Sequence, residues 1–180
     1  MNEKKISSRN IAQLVLTALA AAVLCVVGPL SIPIGPIPLS LTTLVLYVLL
    51  YVVGFRYTLV ACTLYLLIGL AGLPVFTGFQ GGVAKLAGPT GGYLIGYLPM
   101  ILIGGLAIRA RAGRVWQALG LLAATAVLYG LGTAWFMIST GTPLGGAMML
   151  CVVPFLPGDV VKIAIAIGVG PGFRKRIGGE

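Results

Sequence analysis

Histidine is absent from this chain of 180 residues, and only three residues are acidic. Proton-transfer catalysis draws mainly on imidazoles and carboxylates, and most metal sites need clusters of His, Cys, Asp or Glu. With no histidine and one acid in the body of the chain, neither can be assembled; no catalytic residue and no metal ligand is expected. Charge of any sign is scarce, at 8% of residues, against about 25% in soluble domains. A soluble chain of this length would lack the polar residues to cover itself. No polar linker interrupts the sequence, so residues 1–180 read as one domain. The three cysteines, Cys25, Cys62 and Cys151, each sit inside an apolar run without ligand spacing. They read as buried free thiols that pack as small hydrophobes.

What is present is apolar: 59% of the residues are hydrophobic. A helix needs about 20 mostly apolar residues to cross a bilayer, within a range of roughly 17–25. Six segments meet or approach that length: 11–28, 38–53, 57–73, 91–108, 115–138 and 151–170. Their apolar residues run continuously, without period-two alternation, which favours helices over a closed barrel. The polar, basic start MNEKKISSRN resembles a signal peptide. The length of the segment that follows, and its recurrence down the chain, favour a permanent first span. The fold expected is an all-α integral membrane bundle of six transmembrane helices. Three connections are unusual. Residues 28–38 read GPLSIPIGPIP, which cannot be helical and is too apolar for an ordinary solvated loop. Residues 73–90 and 139–150 are rich in glycine.

The charges orient this arrangement. With the N-terminus in the cytoplasm and six crossings, Lys4, Lys5, Arg9, Arg56, Arg109, Arg111, Arg114, Arg174, Lys175 and Arg176 all fall on the cytoplasmic side. The outer side receives only Lys85, and Lys162 lies within a span. This is the positive-inside asymmetry of a plasma-membrane protein. It accounts for the net charge of +9 without a nucleic-acid partner, because the basic residues are dispersed between apolar runs.

Glu3 and Glu180 are terminal, which leaves Asp159 as the one carboxylate side chain in the body of the chain. It lies in PFLPGDVVK, at the outer start of the sixth span, and Lys162 follows on the same helical face. Pro157 and Gly158 suit a helix start, and the positive end of the helix dipole favours a negative charge there. Ionisable groups within spans cost roughly 2.5–3.5 kcal/mol near the bilayer centre and usually mark a site. Asp159 accepting and Lys162 donating hydrogen bonds would line a pocket; alternatively the pair only neutralises itself. A second constellation is FQGGVAKLAGPTGGYLIGY. Its paired glycines permit close approach of a ligand or helix, and Thr90 can cap the fourth span. Gln80 and Lys85 are polar groups in an apolar loop, and Phe79 and Tyr93 could stack on a flat ligand. The plainer reading is a tight re-entrant turn. A third feature is the pair of small residues Ala18 and Ala22, four apart on the first span, a face suited to close helix packing. The stretch GVGPGFRKR lacks the GxxxxGK[ST] spacing of a phosphate loop, so any ATP used must be hydrolysed by another subunit.

Taken together, SIPIGPIPLSLTT at 31–43, GLPVFTGFQGGVAKLAGPTGGYLIGY at 72–97 and PFLPGDVVK at 154–162 resemble the BioY family, the biotin-specific S components of energy-coupling factor (ECF) transporters. The resemblance extends over nearly the whole chain. It implies a six-helix prokaryotic membrane subunit that captures biotin from outside and is not an enzyme. Its implied partners are a transmembrane coupling protein and two cytoplasmic ATPases; ATP is used only by those partners, and no cofactor is bound. It assigns Ala18 and Ala22 to the coupling-protein surface, residues 29–38 to a loop that closes over the substrate, and Asp159, Lys162 and the region from Phe79 to Lys85 to the biotin site. A carboxylate suits the ureido N–H donors, and Lys162 or Gln80 suits the ureido carbonyl. Lys85 or Lys162 would meet the valerate carboxylate. One position departs from the family pattern: Thr42 stands where glutamine is expected, which puts a polar contact from there in doubt. An S component for another small vitamin, an intramembrane enzyme and a purely structural subunit are the alternatives. The last two leave Asp159 without a role or without catalytic partners.

Overall fold

The computed structural model describes residues 8–32, 38–110 and 113–177. Eight helices account for most of them: α1 (Ser8–Val27), α2 (Thr42–Val52), α3 (Gly54–Leu70), α4 (Val83–Ala87), α5 (Gly91–Arg109), α6 (Arg114–Thr140), α7 (Leu144–Cys151) and α8 (Leu156–Ile177). Two short strands, β1 (Ser31–Ile32) and β2 (Leu39–Ser40), pair antiparallel. Among the described residues α5, α6 and the 156–173 part of α8 are long and apolar enough to cross a membrane, and 11–27, α2 and α3 are shorter apolar helices. Large apolar side chains such as Leu14, Leu19, Val26, Leu67, Leu106, Trp116 and Ile138 stay exposed around the outside.

Side-chain contacts fix the direction of each long helix. At the start of α1 and α3, Gln13 Oε1 accepts a hydrogen bond from the Tyr57 hydroxyl at 2.5 Å. Beyond α1, Gly28 packs against the Tyr65 hydroxyl of α3, so α1 and α3 run parallel. α5 and α6 run antiparallel along a ladder of small residues: Gly120 meets Ala107, Gly104 meets Leu121, Gly96 meets Leu128, Gly132 meets Tyr93 and Gly92 meets Trp135. Small residues allow this closeness, which is how helices associate without a hydrophobic drive between them. Lys162 of α8 bonds to Ser40 and Thr43 at the start of α2, and Gly170 packs on Tyr51 near its end. α2 and α8 are therefore parallel. Arg56 and Arg109 each hold a guanidinium carbon 5.9 Å from the centre of the Phe55 ring, so the start of α3 and the end of α5 share one end of the bundle. The long helices alternate in direction, with Asp159 and the 72–90 segment at the opposite end.

Several element boundaries differ from those read in the sequence. Residues 38–41 are not helical, because 39–40 pair with β1. Arg56 sits in the first turn of α3, since Gly54 at φ +78° makes the reversal; a residue with a side chain would be strained there. The 139–150 loop contains α7, and the 73–90 loop contains α4 and a tight reversal closed by the Phe76–Gln80 bridge. Thr90 occupies the cap position of α5 but makes no side-chain cap bond. Of the three thiols, Cys62 and Cys151 are buried and Cys25 is only partly so. Lys4, Lys5, Arg111 and most of the proline-rich segment lie outside the described residues.

The 73–82 segment is anchored by Phe76, which is fully buried and stands edge-on to Tyr65 with centroids 5.4 Å apart. Gly69 forms the socket: a Cβ there would lie 2.1 Å from the ring. Gly69→Ala is expected to lower the melting midpoint of the solubilised protein, at a cost of about 1–3 kcal/mol for overpacking. Gly130→Ala, where a Cβ meets nothing within 4 Å, should leave it unchanged. Equal midpoints for the two variants would remove the socket from the account.

Candidate functional site

At the end of the bundle opposite Arg56 and Arg109, a cleft opens between α2, α4, α5, α6, α7 and α8. It contains about 620 Å³ of space, counting the part open at its mouth. Small-ligand clefts span roughly 300–1,000 Å³. Leu39, Leu94, Leu128, Tyr93, Tyr97, Tyr129 and Phe155 give it broad apolar and aromatic walls. Polar groups enter from few directions: Ser40 and Thr43 from the start of α2, Thr77, Lys85 and Thr90 from the 77–90 segment, and Asp159 and Lys162 from α8.

Asp159 and Lys162 form the polar floor, each only 7% exposed. Their i, i+3 spacing on α8 brings Lys162 Nζ to 3.0 Å from Asp159 Oδ1. The ammonium also donates to the Ser40 carbonyl oxygen at 2.8 Å and to Thr43 Oγ1 at 3.0 Å. The Tyr129 hydroxyl donates to Asp159 Oδ2. Two charges taken out of water are tolerated only when paired and hydrogen-bonded, and here the bonds reach across three helices. The Asp159 backbone N–H donates to the Phe155 carbonyl at 2.9 Å, which seats the acid in the first turns of α8.

The structure brings four of the sequence candidates together: Asp159, Lys162, Lys85 and Tyr93 all line the cleft. Lys85 has no acidic partner among the described residues, and burial lowers its pKa. Gln80 lies apart, in a second, more open recess that shares Lys85 and Thr90 with the cleft. Phe79 lines neither; at φ +57° it is turned outward, 67% exposed, because the tight reversal at 76–80 leaves its side chain no inward path. The aromatic side chains that line the cleft are Tyr93, Tyr97, Tyr129 and Phe155. Thr42 is also outside the lining; it is 1% exposed and lies 2.6 Å from Ser40 Oγ. The threonine of that pair which reaches the cleft is Thr43. Ala18 and Ala22 are exposed on the surface of α1 and do not line the cleft.

Tyr129, Tyr97 and Thr43 escaped the sequence reading, although a signal was there. Thr125, Tyr129 and Thr133 recur every four residues inside an apolar span, as do Tyr93 and Tyr97. Hydroxyls on one face of a span point to the bundle interior. Thr125 bonds Tyr47 at 2.6 Å and Thr133 bonds Tyr93 at 3.2 Å.

An apolar-surfaced helical bundle with an aromatic-walled cleft and a buried ion pair at its floor is the design of a small-molecule receptor subunit in a membrane. The comparisons name the group. The sequence profile of the BioY family matches residues 1–179, and the chain belongs to that family. It is 33% identical to the biotin transporter BioY of Thermotoga maritima over 91% of this chain and 96% of that protein. It is 36% identical to the probable biotin transporter BioY of Pyrococcus horikoshii, over 84% and 90%. It resembles the crystal structure of the S-component for biotin from an ECF-type ABC transporter, with a TM-score of 0.85, 27% identity and 94% of each chain covered. These relatives are transporters, not enzymes.

Removing one partner of a buried ion pair costs about 3–5 kcal/mol, because the other charge is left uncompensated. Lys162→Met is therefore expected to lower the melting midpoint sharply, and the double variant Asp159→Leu/Lys162→Met to recover most of the loss. Thermal melts of the solubilised proteins decide; additive losses would show that the pair is not coupled.

Proposed function

We infer that this chain is the biotin-binding S component of an ECF-type uptake transporter, a single substrate-binding domain in the plasma membrane of a prokaryote. The observation that carries the reading is the ion pair Asp159–Lys162 held at the floor of an aromatic-walled cleft, in a chain that belongs to a family of biotin transporters. Biotin presents a compact fused ring with a ureido group, and a valerate tail ending in a carboxylate. The ring suits the space between Tyr93, Tyr97, Tyr129 and Phe155, with its ureido group toward Asp159. The valerate carboxylate then extends toward Lys85. That choice is supported by Lys162, whose three donors are already engaged, and by the absence of an acid beside Lys85 among the described residues.

The three long helices and the three shorter apolar ones alternate in direction along the chain, which supports six crossings. Arg56 and Arg109 gather at one end around Phe55. Under the positive-inside rule that end is cytoplasmic, both termini lie on that side, and the cleft faces outward. Ala18 and Ala22 are exposed four residues apart on α1, small side chains suited to close packing with a helix of the transmembrane coupling protein. Two cytoplasmic ATPases supply the energy, and this chain holds no nucleotide or other cofactor of its own.

Asp159→Asn keeps the shape of the side chain and removes its charge. Calorimetric titration of the purified protein with biotin is expected to show affinity reduced about 10- to 100-fold, the range for a lost charge-assisted hydrogen-bond network. Far-ultraviolet circular dichroism should keep its helical signature. Unchanged affinity would take Asp159 out of the site.

A further inference from the structure

At the end of the bundle opposite the cleft, two like charges are held together. Arg56 lies in the first turn of α3 and Arg109 in the last turn of α5, and both are exposed. Each keeps its guanidinium carbon 5.9 Å from the centre of the Phe55 ring, so the two carbons can be no farther apart than twice that distance. The ring is fixed where the helices touch: a Cβ on Gly105 of α5 would lie 2.2 Å from the Phe55 Cβ. An aromatic ring attracts a cation, and this one gathers two that repel each other. No carboxylate among the described residues offsets them, because Asp159 is at the other end of the molecule and paired with Lys162.

What adjoins this cationic cluster is apolar. Along α3 from Arg56, Val60 and Leu64 follow at four-residue steps. Back along α5 from Arg109, Leu106 and Leu102 follow at steps of three and four. All four are exposed. Residues at such spacing share one helix face, so each arginine heads an aliphatic stripe. α3 leaves this end of the bundle and α5 arrives at it, so both stripes lead from Phe55 toward the bilayer interior. A soluble anion would satisfy the guanidinium groups alone. An anionic head carried on aliphatic chains satisfies the arginines and the stripes together.

We propose that the Arg56–Phe55–Arg109 cluster is a binding site for an anionic phospholipid: the phosphodiester bridges the two guanidinium groups, and the acyl chains lie along the aliphatic stripes of α3 and α5. Guanidinium forks match the oxygens of a phosphate, and basic clusters at the ends of spans attract anionic headgroups. The bound lipid relieves the repulsion between the arginines and ties the start of α3 to the end of α5. The site does not depend on the biotin reading, since it shares no residue with the cleft.

The test is titration of the full chain in a neutral detergent, read by microscale thermophoresis. The probes are phosphatidylglycerol, phosphatidylcholine (whose choline neutralises the phosphate), inorganic phosphate and a short Glu-rich peptide. Phosphatidylglycerol is expected to bind about tenfold tighter than each of the others. Arg56→Gln/Arg109→Gln should bring it down to the phosphatidylcholine level and leave phosphatidylcholine unchanged. Arg56→Lys/Arg109→Lys keeps the charges without the forked donors, and should fall between the two. A variant that had lost its fold would lose both lipids, and the wild-type comparison then decides alone. Equal affinity of the wild-type chain for the two lipids overturns the proposal. So does a preference that survives the Gln substitutions, or one that the Lys substitutions leave whole, which would be diffuse attraction between charges. Inorganic phosphate binding as tightly as phosphatidylglycerol would remove the acyl chains from the site, and the peptide doing so would give the cluster to a protein partner; either result overturns it.

Discussion

One buried ion pair organises the functional end of this bundle. In a chain so poor in charge, a carboxylate and an ammonium at 7% exposure each survive only because every strong donor and acceptor between them finds a partner. That requirement ties three helices to one another: α8 carries the pair, β2 and the start of α2 supply Ser40 and Thr43, and α6 supplies Tyr129. The directions of those helices, and the depth of the cleft between them, follow from the same bonds. Farther along, the Tyr47–Thr125 and Tyr51–Gln117 bonds continue the connection of α2 to α6 toward the arginine end.

The apolar remainder of the molecule needs little specificity. Large aliphatic and aromatic side chains stay exposed over much of its outside, and small residues close the contact between α5 and α6. The glycines of α5 and α6 let those two helices lie nearly in contact from Gly120–Ala107 to Gly92–Trp135. A tightly packed pair gives the cleft a rigid back wall, on which Tyr93 and Tyr129 are mounted. The opposite wall, from the 72–90 segment, is a folded loop rather than a helix. Phe76 in its Gly69 socket and the hydrogen bond from the Gly78 N–H to the Pro29 carbonyl at 3.1 Å keep it in place.

Much of this was legible in the sequence because hydropathy and charge act over long stretches. The apolar runs matched most helices closely, the sixth excepted, where 151–170 was read and α8 covers Leu156–Ile177; the solitary Asp159 with Lys162 three residues on pointed to the pair that the structure buries together. Where the reading went astray, the cause was local geometry. Phe79 and Tyr93 look alike as aromatic neighbours of a glycine-rich loop, but a backbone turn at φ +57° sends Phe79 outward. Thr42 and Thr43 are adjacent, and only the helical phase of α2 decides which reaches the cleft. Tyr129 is remote from Asp159 in the chain, and no local pattern announces their contact; only the four-residue recurrence of hydroxyls on α6 hinted that this face looks inward. The short helices α4 and α7 were hidden because the glycines flanking α4 and those inside α7 read as loop.

The most direct measurement is a structure of the chain with biotin bound, the ligand oriented by the anomalous signal of its thioether sulfur. The account predicts the ring between Tyr93, Tyr97, Tyr129 and Phe155 with its ureido group toward Asp159, and the valerate carboxylate toward Lys85. A ring lodged in the more open recess beside Gln80, or against the exposed Phe79, would contradict it.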